Sequence, residues 1–123
     1  MKKLSMVLFF FVLFCALGSM AYSQEMQIVP FSFAAGSEGY SLDKGSGDRT
    51  LSVEITFPKP FEVKPDVVLS LNSVDSDKGA NLRIAMKAIS ISRDGFTIQI
   101  KTWGDSKINS VGGYWMAVSG PKK

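Results

Sequence analysis

The segment "FTIQIKTW", residues 96–103, alternates apolar and polar side chains along most of its length. Phe96, Ile98 and Ile100 fall on one side. Thr97, Gln99, Lys101 and Trp103 fall on the other. A repeat of two marks a β-strand, because successive side chains of a pleated backbone point to opposite faces. "LSVEITF" repeats the pattern with Leu51, Val53, Ile55 and Phe57 on one face. No stretch after residue 24 keeps a helical period for more than a turn, so the chain is constrained to an all-β fold.

The other segments fit that frame. "QIVPFSF" predicts a short strand, with Val29, Phe31 and Phe33 alternating and Pro30 confining it to a sheet edge. The Gly- and Ser-rich "AAGSEGYSLDKGSGDRT" reads as loop. Pro58, Pro60 and Pro65 interrupt pairing before the strand Val67–Leu71. "NSVDSDKGAN" reads as a polar connection. "LRIAMKAISIS" alternates through Leu82, Ile84, Met86 and Ala88 and then changes phase, which predicts a bulge near Ala88. "RDG" predicts a turn with Gly95 at positive φ. "GDSKINSVGG" reads as loop, and "YWMAVS" as the last strand, with Trp115 in the core. Five or six short strands with turn chemistry between them predict an antiparallel β-sandwich.

The N-terminus reads differently. Lys2 and Lys3 precede an apolar run of 14 residues, Leu4 to Leu17, and then "AYS". That order predicts a secretory signal peptide over residues 1–23, cleaved after Ser23 or after Ala21; an uncleaved anchor is the alternative. Residues 24–50 are then the leading segment of the domain, and 51–123 its main body. The run is short for a membrane span, so no membrane insertion is expected once the signal is removed. The single cysteine, Cys15, leaves with the signal, so an exported chain of 100 residues holds itself together without a disulfide.

Composition excludes several functions. There is no histidine, which removes the commonest general base and metal ligand. Residues 24–123 carry 12 basic and 11 acidic side chains, a balance that offers nothing to attract nucleic acid or an anionic membrane. "VDSDKG" spaces Asp75 and Asp77 like alternate calcium ligands but lacks a third acid and a distal glutamate, so a polar turn is the better reading. No cofactor and no metal are called for.

Two residues have the parity for a surface role. Trp103 lies opposite the core face at a strand end; it serves either as a platform for an apolar ring face or as packing for the leading segment. Arg83 alternates against Leu82 and Ile84, so it points outward. A guanidinium there can fork onto adjacent hydroxyls or a carboxylate, or simply be solvated.

Residues 53–119, with "ITF", the Pro-flanked "PF", "PDVVLSL", "VD", "NLRI", "GF", "TWGDSKI" and "YWMAV" in one order, resemble an H-type lectin domain of the snail agglutinin and discoidin type. The resemblance implies a six-stranded antiparallel sandwich, a homotrimer, and a galactose or N-acetylgalactosamine site near subunit boundaries. It puts Arg83 on the arginine that grips sugar hydroxyls and Trp103 on the tryptophan beside the sugar. It puts Asp48, with Gly47 before it, on an acid supplied by the neighbouring protomer, with Asp43 as the alternative. Gly104 and Asn109 depart from the family pattern: the snail protein has histidine and tyrosine there, which help shape the acetamido pocket. The function so implied is a secreted, multivalent lectin without catalysis. The alternatives are an exported adhesion module that binds protein through a sandwich whose sugar site has decayed, and a small hydrolase, for which no carboxylate pair speaks.

Overall fold

In a computed structural model, residues 24–120 are described; the predicted signal peptide lies outside them. Six strands run in order: β1 (Glu25–Ala34), β2 (Arg49–Thr56), β3 (Asp66–Ser76), β4 (Ala85–Ile89), β5 (Gly95–Thr102) and β6 (Ile108–Ser119). They form two three-stranded sheets, β1-β6-β3 and β2-β5-β4, with every pairing antiparallel. The expected all-β sandwich of six strands is the fold observed.

Alternation dictates the core. Phe96, Ile98 and Ile100 of β5 are buried, as are Leu51 of β2 and Val111, Trp115 and Ala117 of β6. Each large apolar side chain taken out of water stabilises the fold by about 1.5–3 kcal/mol before conformational entropy is subtracted. Trp115, 2% exposed, closes an aromatic cluster with Phe57 and Phe96, at ring-centroid separations of 5.7 and 5.5 Å. Phe61 meets Phe57 edge-on at 4.9 Å.

Pro30 sits in β1, an edge strand, where a missing N–H is tolerated. That strand is not short: all ten residues pair with β6. The loop after it is anchored by Tyr40 and Leu42, both in the core. The Tyr40 hydroxyl donates to the Ile108 carbonyl at 2.6 Å. Burial, with the charges of Asp43 and then Asp75, pushes its pKa up to about 12, so it remains a neutral donor.

Four local expectations are corrected. "NSVDS" is not a connection, since β3 continues through it to Ser76; register shifts at Leu71/Ser73 and Asp75/Ser76 break the alternation and hide the strand. "INSVGG" is the first half of β6 rather than loop. No bulge occurs near Ala88; β4 pairs in register to Ile89 and then stops, with Ser90 at φ 54°. Gly95 does not have positive φ; it is small because a Cβ there would sit 2.1 Å from the Ile55 carbonyl oxygen.

Candidate functional site

The start of β2, the end of β5 and the start of β4 lie together at one end of their sheet. Arg49 pairs with Thr102, and Ala85 with Lys101. Extending both ladders brings Asp48, Trp103 and Arg83 into one row on the sheet's outer face, with Trp103 in the middle. The sequence-predicted residues are thus gathered at one end of one sheet. Trp103 is 37% exposed, a large apolar surface left open at the strand end.

Arg83 is held from its backbone outward. Its N–H donates to Ser106 Oγ at 2.8 Å, and its carbonyl accepts from Thr102 Oγ1 at 2.6 Å. Both partners are fully buried, and the Ser106 hydroxyl in turn donates to the Asn81 carbonyl. Losing such a partner leaves buried polar groups unpaired, at about 1–3 kcal/mol. The guanidinium lies over Gly104, where a Cβ would meet Nη1 at 3.2 Å and where φ is 68°. Both the close approach and the left-handed backbone favour glycine there.

The carboxylate that Arg83 engages is Asp105, at 2.6 Å from Nη1 to Oδ1. Asn81 approaches the same carboxylate through its backbone N–H at 3.4 Å and its side-chain amide at 3.2 Å. The Asn81 N–H chiefly holds the Asp105 carboxyl below the usual carboxylate range; desolvation opposes it, and the Arg83 and Asn81 side chains add to the lowering. Sequence reasoning missed both residues because it sought the acid only ahead of β2. The available signal was "WGD", a tight turn that carries an acid back past the indole.

Asp48 bonds Lys101 Nζ at 3.2 Å within its own chain, on the opposite flank of β5 from Arg83. Gly47 donates its N–H to the Gly104 carbonyl at 2.9 Å, tying the leading segment to the Trp103 loop. Asp43 turns the other way: its Oδ1 is buried, without a hydrogen-bond partner among the described residues, near Tyr40. Asn109 lies on β6, where its amide donates to Asp77 at 2.8 Å. Asp75 lies within β3. Among the described residues no three His, Cys, Asp or Glu side chains gather as a metal site would need.

Arg49 is a third residue the sequence did not disclose. Its guanidinium donates to the carbonyls of Gly47 at 3.0 Å, Lys44 at 2.9 Å, Ser106 at 2.7 Å, Gly104 at 3.2 Å and Leu42 at 3.4 Å. One fixed fork of donors therefore locks the 42–47 loop against the 104–106 loop. In the sequence it looks only like a charged residue at the end of a loop; the structure makes it the first residue of β2.

Forked donors, an acceptor carboxylate and an open indole face match what a sugar presents, namely hydroxyls around a ring of carbon-bound hydrogens. A two-layer sandwich with that equipment is a carbohydrate-binding module of the lectin class. Residues 52–118 match the H-type lectin domain, and the chain belongs to that family.

The chain is similar to several known proteins. The protein named ATP synthase subunits region ORF 7, from Fuscovulum blasticum, is 35% identical over 100 residues, covering 81% of this chain and 84% of that protein. A discoidin-1 chain of Dictyostelium discoideum is 29% identical over 80 residues, covering 64% of this chain and 32% of that protein. The structure of wild-type discoidin II from the same organism superimposes with a TM-score of 0.71 at 25% identity, covering 82% of this chain and 39% of discoidin II. A second discoidin II structure matches with a TM-score of 0.71 at 26% identity, covering 83% of this chain and 40% of that one. The chain thus spans about two fifths of discoidin II.

Proposed function

We infer that this protein is a secreted lectin that binds terminal galactose or N-acetylgalactosamine without chemically changing it. The observation that carries this reading is the Arg83–Asp105 pair fixed beside an exposed Trp103. A neutral sugar has no charge to attract, so affinity must come from directed hydrogen bonds and contact with its apolar face. Arg83 commits Nη1 to Asp105, which leaves Nε and Nη2 without an acceptor among the described residues. Those groups donate to vicinal hydroxyls, Asp105 accepts from one, and Trp103 covers the ring. Gly104 has no side chain and the Asn109 amide is committed to Asp77, so neither walls in an acetamido group and galactose and N-acetylgalactosamine bind alike.

A homotrimer makes the binding useful. Single sites for neutral sugars are weak, and several sites engaging one surface multiply retention. Cyclic assembly brings Asp48 and Gly47 of one protomer to Arg83 of the next, where Asp48 adds a second acceptor. It also covers the outer face of sheet β1-β6-β3, where Met26, Ile28, Val68 and Tyr114 stand exposed. That apolar face equally favours a second reading, an adhesion module whose partner is a protein.

Retention on immobilised galactose and elution by free sugar test the lectin reading; a chain that passes straight through leaves the adhesion reading. Light scattering tests the trimer, and a monomer at micromolar concentration removes the shared site. The intact mass of secreted material tests the signal peptide: it should begin at Gln24, and a mass that retains residues 1–23 refutes export by cleavage.

A further inference from the structure

The outer face of sheet β2-β5-β4 continues downward from the Arg83–Trp103 row. The next row holds Ala85 and Lys101, and the one below it Lys87 and Gln99. A strand rises about 3.3 Å per residue, so successive rows on one face are about 7 Å apart. Ala85 is a methyl group set among long side chains. The difference in length leaves a depression of about 140 Å³ with Ala85 at its floor and Lys87, Gln99 and Lys101 around it. It begins one row below the exposed indole.

The wall is positive. Lys101 is partly compensated by Asp48 at 3.2 Å. Lys87 is exposed and has no carboxylate within ion-pair distance among the described residues. The other acid of this face, Glu54, stands on β2, across β5 from β4 and one row further from Trp103.

We propose that this depression is a second subsite, which takes a carboxylate or sulfate ester carried by the sugar next to the one at Arg83 and Trp103. The proposal rests on the sugar reading of that end of the sheet. Lys87 Nζ and the Gln99 amide donate to the anion, and the Ala85 methyl meets the ring that bears it. The ligand class is therefore an acidic glycan with a neutral terminal galactose-type residue. A neutral chain of the same length leaves Lys87 unused.

The test uses three galactose-terminated disaccharides of one linkage: neutral, sulfated on the inner residue, and with a uronic acid as the inner residue. At low ionic strength the acidic pair should bind about fivefold tighter than the neutral one, the upper end for an exposed ion pair. The preference should vanish near 1 M salt, where screening acts within about 3 Å. Lys87→Gln should remove it, and Lys64→Gln, outside the depression, should retain it. If only one acidic disaccharide gains, the subsite stands and the anion it takes is identified. Equal affinity for all three in the unmodified protein overturns the subsite while leaving the galactose site intact, as does a preference that survives Lys87→Gln. Acidic binding that survives Arg83→Ala overturns it too, since the depression then does not extend the galactose site. Failure to bind any of the three overturns the galactose site itself.

Discussion

The two ends of sheet β2-β5-β4 are both irregular, yet they are held in opposite ways. At the far end, the turn from β4 to β5 mostly closes on itself. The Ser92 N–H donates to the Gly95 carbonyl at 2.9 Å, and Ser92 Oγ accepts from the Asp94 and Gly95 N–H groups at 3.2 and 3.3 Å. At the Trp103 end, the ties run from side chains to backbone across long stretches of chain. Thr102 and Ser106 clamp Arg83, and Arg49 reaches Gly104 and Ser106. A self-closing turn tolerates change, because its neighbours in sequence re-form it. An end assembled from remote parts fails when one of those parts is lost.

The largest effect that would break this contrast is at Arg49. Arg49→Met should lower the free energy of unfolding by about 3 kcal/mol, because several carbonyls lose a charged donor at once. Urea unfolding reads it, and sugar retention should fall with it. A variant as stable as the parent would mean that the two loops hold themselves. Arg83→Ala should separate binding from stability. Loss of a charged hydrogen bond is worth about 1.5–3 kcal/mol, so sugar affinity should fall at least about tenfold. Because Arg83 points outward, the unfolding midpoint should barely move.

Paired serines sharpen the contrast further. Ser106→Ala should cost about 1–2 kcal/mol, since it strands buried groups on Arg83 and Asn81. Ser92→Ala, on an exposed turn, should cost about 0.5 kcal/mol or less. Equal losses would erase the distinction between the ends. The smallest effect is acid sensitivity. The Asp105 pKa is lowered on folding, so its contribution is present above the ordinary carboxylate range and is lost as pH falls through the lowered value. Sugar binding should therefore persist as pH drops to about 4, where an unperturbed aspartate is half protonated. It should decline only below that, and a decline centred well above pH 4 would remove Asp105 from the site.

What could be read from the sequence follows from how far apart the interacting residues lie. β2 and β5 are legible because each is one unbroken alternation, and the outward parity of Trp103 comes from β5 alone. The second half of β3 is hidden because its register shifts reset parity twice. The first half of β6 is hidden because Gly112 and Gly113 carry no hydrophobic signal. Both are small for tertiary reasons: a Cβ on Gly113 would lie 1.8 Å from the Ser70 carbonyl oxygen, and one on Gly112 would lie 2.8 Å from Ser73 Oγ. Family resemblance singles out Arg83, Trp103 and Asp48, but the pairing of Arg83 with Asp105 spans 22 residues and exists only once the sheet has formed. The five carbonyl partners of Arg49 likewise have no sequence signature, because a carbonyl is common to every residue.

The last strand in the chain, β6, is the central strand of its sheet, and it alone provides hydrogen-bonded partners for both β1 and β3. That half of the sandwich therefore has no template until β6 has emerged. β1 and β3 must wait as unpaired extended chain while β4 and β5 pair locally around "RDG" and β2 joins β5 over a longer span. Closing loops of such length before any stabilising contact forms makes folding slow, in the range of milliseconds to seconds typical of all-β domains. A nascent chain stalled before Ile108 has at most one sheet, with its apolar inner face open to water. The protein's exposure to misassembly is thus greatest just before β6 has been made.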